Sequence, residues 1–248
     1  CVVHTAGSAG AGAGLGESVA RRFAAEGCEI GLLARSGGYL DELSDDLPTD
    51  AVGVATDLTD SGDIAAAFDR VRDDLGPVDV LVNNASAASW SGLRDTSVDA
   101  FDRAYEVGPR ADFLCSQAAV RDMLDEDCPA DDRGGTIVFT GATTSVRGRE
   151  GAVGFSMAKF GPRGLAESMA KELGPDGVHV AHVVIDGGIL GPDVETETPE
   201  DYLDPDAIAD SYWHLVQQDR SARTHELDLP PHVERVYPTT FHEASLPY

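Results

Sequence analysis

Lysine and long apolar segments are scarce in this sequence of 248 residues. Lys159 and Lys171 are its only lysines, and 44 acidic side chains stand against 18 basic ones, which gives a formal net charge of -26. Because nucleic acids bind to basic surfaces, this charge argues against a nucleic-acid partner. No run approaches the roughly 20 apolar residues of a membrane span, and the amino terminus has no charged segment followed by an apolar one. We therefore expect a soluble, cytoplasmic protein that binds neither nucleic acid nor membrane.

Cysteines at metal-binding or redox spacing are also missing. Cys1, Cys28, Cys115 and Cys128 stand far apart, with no CxxC motif and no histidine at ligand spacing. We interpret them as buried free thiols and expect no metal site. The alternative is a disulfide or a metal site.

The acidic residues indicate adaptation to salt. Aspartate accounts for 29 of the 44 acids. Such an excess destabilises a compact chain by self-repulsion unless salt screens it, and at about 1 M salt the Debye length is roughly 3 Å. We expect a halophilic protein, because the alternative of an ordinary acidic protein does not explain the scarcity of lysine.

Short apolar runs alternate with amphipathic stretches along the chain, which is typical of repeated βα units. Gly27 and Gly76 stand where two of the predicted helices should end. Right-handed crossovers would place helices on both faces of one sheet. We predict a single α/β domain over residues 1–248: a Rossmann-type, three-layer α/β/α fold with a doubly wound parallel sheet, an irregular substrate-side loop at 187–205 and a tail at 231–248. Seven strands are expected, at residues 1–5, 29–34, 51–56, 78–83, 135–140, 178–185 and 225–229.

A glycine-rich segment follows the first predicted strand. It reads Gly10-Ala11-Gly12-Ala13-Gly14-Leu15-Gly16 and opens onto a helix predicted to begin near Glu17. Glycines let the backbone approach a pyrophosphate, and a helix amino terminus offers N–H groups and a positive dipole end to receive it. We interpret the segment as a dinucleotide phosphate loop, the alternative being a flexible turn.

The end of the second predicted strand bears on the choice of cofactor. Ala34-Arg35-Ser36 stands where an NAD-selective fold would carry an acid for the ribose hydroxyls. Arg35 would instead pair with a 2'-phosphate, so the sequence favours NADP(H) over NAD(H). The alternative is that Arg35 is an ordinary exposed residue.

These motifs resemble those of the short-chain dehydrogenase/reductase family. The spacing of Gly10, Gly14 and Gly16 is similar to its phosphate loop, Asp57-Leu58 to its adenine-contacting segment, and Asn83-Asn84-Ala85-Ser86 to its Asn-Asn-Ala-Gly turn. The resemblance extends through Lys159 to the strand at Glu226. It implies a small-molecule substrate and a homodimer or homotetramer. The cofactor contacts that we expect lie at Gly10, Gly14, Leu15, Gly16, Arg35, Ser36, Asp57, Leu58, Asn83, Ala85, Lys159, Gly187 and Ile189.

The catalytic residues of that family are mostly replaced in this chain. The family uses a Tyr to transfer the proton, a Lys that lowers the pKa of that Tyr, a Ser that holds the substrate oxygen and an Asn that anchors a water. Lys159 matches the lysine, but Phe155 stands at the Tyr position, Ala142 at the Ser position and Gly108 at the Asn position. Lys171 is not preceded by Tyr at this spacing either, so the chain contains no Tyr-x-x-x-Lys motif.

Two nearby residues are candidates for a substitute proton path. Thr143 brings a hydroxyl one residue after the Ser position, and Asp186 follows the sixth predicted strand, where the family has a Pro-Gly turn. If Asp186 faces the pocket it is an acid or base, and otherwise it caps or solvates a turn. Pro109 and Pro162 stand inside predicted helices, so we expect either kinks or different helix boundaries.

Two functions are consistent with these residues. The first is an NAD(P)-dependent oxidoreductase that moves a hydride between NADPH and a carbonyl or related substrate, with a non-standard proton path. The second is a catalytically silent NADP-binding protein that acts as a sensor or an assembly partner. Loss of the general acid typically costs on the order of 10² to 10⁴ in rate, so a weak residual activity fits both.

Overall fold

The computed structural model describes residues 14–87, 90–124, 134–191 and 194–233. In these ranges the strands are β1 (Ile30–Ala34), β2 (Ala51–Ala55), β3 (Val80–Asn83), β4 (Thr136–Thr140), β5 (His179–Ile185) and β6 (Glu226–Leu229). The α-helices are α1 (Leu15–Ala25), α2 (Gly37–Asp46), α3 (Ser61–Leu75), α4 (Val98–Tyr105), α5 (Ala111–Met123), α6 (Val153–Leu173) and α7 (Pro205–Val216). The strand predicted at 1–5, Gly10 and the tail after residue 233 lie outside the described residues.

Every strand pairing in the described ranges is parallel. β1 pairs with β2, and the order of the other strands is β3-β4-β5-β6. Parallel neighbours require crossover connections, and helices supply them here. The predicted α/β class and parallel sheet are confirmed, and these six strands lie within two residues of the predicted ranges. The count of seven strands and the single domain stay predictions.

Two apolar clusters flank the strands. One packs α1, α2 and α7 against the sheet, and the other packs α3, α5 and α6 against it. Alternate residues of β4 supply the two clusters: Val138 belongs to the first, and Ile137 and Phe139 belong to the second. Because side chains alternate across a strand, these clusters lie on opposite faces, which gives the predicted three layers.

Glycines mark the ends of α1 and α3, as predicted. Gly27 has a φ of +85° and Gly76 a φ of +95°, a conformation that residues with a Cβ rarely adopt. The start of α1 was predicted near Glu17, and the helix begins two residues earlier, at Leu15. Gly14 precedes it with its carbonyl oxygen accepting from the Ser18 N–H at 3.1 Å, so the first turn follows the glycine-rich segment without a spacer.

The two prolines affect their helices differently. Pro109 lies in a five-residue π-helical stretch, Glu106–Arg110, which we call the π segment, and Gly108 departs there from helical geometry. Pro162 lies inside α6, which continues to Leu173. A departure from helical geometry is therefore found beside Pro109, whereas α6 continues through Pro162, where a kink or a different boundary was expected.

Cys28 and Cys115 are buried free thiols, and Cys1 and Cys128 lie outside the described residues. In the described ranges, no helix is both long and apolar enough to cross a membrane. The same ranges hold no group of three or more His, Cys, Asp or Glu side chains that would bind a metal ion.

Candidate active site

Lys159 is fixed at the carboxyl end of β4. Its ammonium Nζ donates to the carbonyl oxygen of Thr140, the last residue of β4, at 2.9 Å. The Lys159 side chain is only 7% exposed. α6 therefore delivers a buried cation to the sheet edge at which parallel α/β proteins bind ligands.

Phe155 lies one helical turn before Lys159 and beside it. The Lys159 Nζ is 5.9 Å from the centre of the Phe155 ring, which is within the range of a cation–π contact. The centre of the Trp90 ring lies 4.9 Å from that of Phe155, and the Arg149 guanidinium carbon lies 5.3 Å from the Trp90 ring centre. The expected Tyr position is thus filled by a ring that packs between an aromatic wall and the lysine but has no hydroxyl to exchange a proton.

Thr143 and Asp186 are brought together. Thr143 Oγ1 donates to Asp186 Oδ1 at 2.6 Å, and Arg147 Nη2 donates to Asp186 Oδ2 at 2.7 Å. The Ala142 N–H donates to Ser145 Oγ at 3.0 Å, so the Ser position supplies a backbone contact and a methyl group. Asp186 therefore links the turn after β4 to the end of β5, and its two oxygens accept from a hydroxyl and a guanidinium.

Gly108 lies against the backbone of α6. A Cβ at Gly108 would be 3.3 Å from both the Cβ and the carbonyl oxygen of Ala158, the residue before Lys159. Pro162, four residues later, has no N–H to donate to that carbonyl. The expected Asn position is thus occupied by the close approach of two helices, and an Asn side chain would require them to separate.

Asp112 is a buried acid that sequence reasoning missed. It lies one helical turn after Gly108 and is 6% exposed. Burial raises the pKa of Asp112 to about 7, and the Lys159 charge opposes this. Burial lowers the pKa of Lys159, and the Asp112 charge opposes that in turn. The sequence could have indicated this burial, because Asp112 is an acid among apolar residues of α5, such as Ala111 and Cys115, that are themselves buried.

Several buried polar atoms near the ends of β3 and β4 have no partner in the described ranges. Asn83 Nδ2 donates to Ser116 Oγ at 3.1 Å, but Asn83 Oδ1, Ser86 Oγ and Thr144 Oγ1 make no hydrogen bond there. Buried polar atoms in native proteins nearly always have a partner. These atoms therefore fit a bound group that presents hydrogen-bond donors and acceptors, as a dinucleotide does.

Gly14, Leu15 and Gly16 are the predicted phosphate-loop contacts that the structure describes. A Cβ at Gly14 would meet no atom of the described residues within 4 Å, and Leu15 and Gly16 form the first turn of α1. Leu58 and Ala85 are both buried at the ends of β2 and β3. The predicted contact residues in the described ranges thus lie along the carboxyl edge of the strands.

Asp57 and Arg35 follow neighbouring strands. Asp57 Oδ1 accepts from the Thr59 N–H at 3.0 Å and from Thr59 Oγ1 at 2.8 Å. These hydrogen bonds lower the pKa of Asp57, with smaller contributions from the charges of Arg103 and Arg35. Ser36 precedes α2 as its N-cap residue. Arg35 therefore lies close enough to Asp57 for their charges to interact.

The loop after β5 folds back on itself. A Cβ at Gly187 would be 2.9 Å from Leu203 Cδ1, and one at Gly188 would be 2.9 Å from the Tyr202 ring. Ile189 forms an isolated parallel bridge with Leu203. Apart from residues 192–193, which lie outside the described ranges, the loop from 187 to the start of α7 is irregular, with one short 3-10 turn at Pro199–Asp201.

Tyr212 does not stand in for the missing phenol. Its ring is fully buried in the cluster beneath α1 and α7, on the face opposite to α6. The Tyr212 hydroxyl donates to Thr140 Oγ1 at 2.9 Å, and burial raises its pKa. Its proton is therefore held inside the core.

The layered parallel sheet, the glycine-rich entry to α1 and the lysine at the sheet edge define an α/β protein of the Rossmann type. Residues 5–202 match the family model of the short chain dehydrogenases, and the chain belongs to this family. The family predicted from the motifs is confirmed.

Individual relatives cover most of the chain. A carbonyl reductase (NADPH) 2 from Sus scrofa is 33% identical over 174 residues, which are 70% of this chain and 67% of the relative. An inactive 2-(S)-hydroxypropyl-CoM dehydrogenase 2 from Xanthobacter autotrophicus is 30% identical over 191 residues, 77% of this chain and 80% of the relative. A metagenomic short-chain oxidoreductase solved in complex with NADP has a TM-score of 0.79 at 25% identity, covering 94% of this chain and 97% of that one.

Proposed function

We propose that the protein is an NADP(H)-dependent oxidoreductase that acts on a carbonyl or related group of a small molecule and uses no tyrosine for proton transfer. The observation that carries this proposal is the buried Lys159, held by Thr140 beside polar atoms that fit a ligand. A buried cation without a function at a ligand-binding edge would be a net cost to folding.

The residues of the sheet edge would hold the cofactor. The amino terminus of α1, with Gly14 and Gly16, would receive the pyrophosphate. Arg35 would pair with the 2'-phosphate, Asp57 would contact the adenine, and Lys159 would hydrogen-bond the nicotinamide ribose. When bound, the nicotinamide supplies or accepts the hydride. The preference for NADP(H) rests on Arg35 alone.

Thr143 and Asp186 are the groups that we assign to the proton path. The Thr143 hydroxyl is one residue from the Ser position and is hydrogen-bonded to Asp186 at 2.6 Å. The Asp186 side chain is 25% exposed and that of Arg147 is 48% exposed, so the pair is in contact with solvent. In reduction, the Thr143 hydroxyl would turn its proton from Asp186 to the substrate oxygen as the hydride reaches the carbon, and a solvent water at Asp186 would return a proton to Thr143.

A silent dinucleotide-binding protein is the second candidate. The observation that favours it is the absence of a hydroxyl from both Ala142 and Phe155, which in the family would touch the substrate. The Xanthobacter relative is named as inactive, so loss of activity has a precedent among similar chains.

Cofactor binding tests both candidates together. NADPH fluorescence should change on titration with the protein in high salt, and Lys159→Met should weaken the affinity. Lys171 lies on the same helix, is exposed and pairs with Glu167, so Lys171→Met is the matched control and should bind normally. Equal affinities in the two variants would mean that Lys159 does not contact the cofactor, and no binding at all would remove both candidates.

Turnover separates the two candidates. A panel of carbonyl substrates should show weak activity, which the double variant Ala142→Ser/Phe155→Tyr should raise. Phe160→Tyr adds the same hydroxyl at an exposed position of α6 and should change nothing. An active protein whose activity falls in the double variant uses Phe155 in another chemistry, whereas no turnover in either form supports the silent candidate.

A further inference from the structure

Two acids of α5 are buried, and their surroundings differ. Asp122 Oδ1 accepts from Arg72 Nε at 2.6 Å, and its Oδ2 accepts from the Val78 N–H at 3.1 Å. Asp112 makes no hydrogen bond to any residue of the described ranges, although it is 6% exposed. A buried carboxyl without hydrogen bonds is costly, so its retention calls for an interaction that repays the cost.

Burial raises the pKa of Asp112, and the charge of Lys159 opposes that rise. Within the described ranges, Lys159 makes a single hydrogen bond, to the Thr140 carbonyl oxygen. Asp112 follows Gly108 by one helical turn, and Gly108 packs against Ala158, directly before Lys159. Asp112 and Lys159 thus lie one helical turn and one residue, respectively, from the contact between Gly108 and Ala158, at the level of the missing Asn side chain.

The other ionisable groups around the pair do not compensate either charge. Cys115 on α5 is a buried thiol whose pKa is raised by burial and by Asp112. His182 on β5 has its pKa lowered to about 4 by burial, with Lys159 among the lesser causes. From the neighbouring helices, Arg72 is held by Asp122, and Arg110 donates to the Thr59 carbonyl oxygen at 2.7 Å.

We propose that Asp112 is a positioning residue: it supplies the negative charge that keeps the buried Lys159 ammonium protonated in a site that has lost its phenol. With Gly108 at the Asn position and Phe155 at the Tyr position, the polar and aromatic contacts of Lys159 in the described ranges are the Thr140 carbonyl oxygen and the Phe155 ring. Asp112, one helical turn after Gly108, supplies a negative charge in place of the missing phenol. The proposal rests on the proposed function only for the statement that Lys159 contacts a cofactor.

Because lysine is scarce in this chain, the titration of Lys159 can be measured directly. In protein grown on isotope-labelled lysine, side-chain NMR yields signals from Lys159 and Lys171 only. Removing an opposite charge shifts a pKa by about 1 to 3 units. In Asp112→Asn, the titration midpoint of Lys159 should therefore fall by that amount, while the Lys171 signal stays in place as an internal reference.

Asp122→Asn is the matched control, because it neutralises the other buried acid of the same helix. It should leave the Lys159 midpoint unchanged even though it costs stability, and Asp112→Glu should restore most of the wild-type midpoint. If Asp112→Asn does not fold, Asp112→Leu removes the charge together with the buried polar atoms. The titration midpoint of Lys159 should fall in that variant as well. An unchanged Lys159 midpoint in the neutral variant overturns the proposal.

NADPH affinity provides the link to function. If Lys159 binds the cofactor as an ammonium, Asp112→Asn should bind NADPH as tightly as the wild type at low pH. As the pH is raised, the variant should lose its affinity for NADPH before the wild type does. A shifted Lys159 midpoint without NADPH binding in any form supports the charge interaction between Asp112 and Lys159 and refutes the proposed function. NADPH binding with an unshifted midpoint refutes that interaction and leaves the proposed function standing.

Discussion

Replacing Gly161 by alanine should destabilise the protein, because α6 and the π segment touch at this residue. A Cβ at Gly161 would lie 2.6 Å from Pro109 Cγ and 3.0 Å from Pro109 Cβ. The proline ring cannot rotate away, so the two elements must separate, and overpacking of this kind costs about 1 to 3 kcal/mol. The helix propensity of alanine returns about 0.5 to 1 kcal/mol. The difference is a net loss of about 0 to 2.5 kcal/mol in the free energy of unfolding.

Gly164 provides the control on the same helix. A Cβ at Gly164 would meet no atom within 4 Å, so Gly164→Ala gains the helix propensity without the clash. Urea unfolding followed by circular dichroism in high salt should therefore move the two variants in opposite directions. Lys159 lies two residues before Gly161, so Gly161→Ala should also weaken NADPH binding. If Gly161→Ala is as stable as Gly164→Ala, α6 is not packed against the π segment as described here.

Three further results are expected. The thermal midpoint should rise steadily between about 0.1 and 2 M KCl as salt screens the acidic surface, and a flat response would contradict halophilic adaptation. Arg35→Asp should weaken NADPH binding and favour NADH, with Arg70→Asp as a charge-matched control; an unchanged ratio of the two affinities would remove Arg35 from the site. The pKa of Asp112 is raised from 3.8 to about 7, so its contribution to stability is present below about pH 4 and is lost as the pH rises through 7. Urea titrations across this range should show a flatter profile for Asp112→Asn than for Asp122→Asn.

Much of the fold follows from local patterns. β4 is a short apolar run in which every residue is buried, and its limits were predicted to within one residue. Gly27 and Gly76 ended α1 and α3 as expected, because a positive φ is a local requirement. The uninterrupted α6 was not predictable in the same way: Pro162 disfavours a helix locally, and packing against neighbouring elements overrides that preference.

Only part of the candidate site could be predicted from the sequence, because some of its residues come from distant parts of the chain. Spacing from Lys159 pointed to Phe155, which is four residues away in the sequence. It also pointed to Ala142, which follows β4, the strand whose last residue accepts a hydrogen bond from Lys159. It gave no information on Asp112, which is far from Lys159 along the chain and comes near α6 only because the π segment packs against that helix. Likewise, Asp186 was left with two interpretations, since its partners Thr143 and Arg147 come from another part of the chain.

Thr140 accepts hydrogen bonds from side chains on both faces of the sheet. Its carbonyl oxygen accepts from Lys159 on one face of the sheet, and its hydroxyl accepts from Tyr212 on the other. Tyr212 belongs to α7, which follows directly after the irregular loop. Thr140 is therefore a direct hydrogen-bonded link between α7 on one face of the sheet and the lysine of α6 on the other.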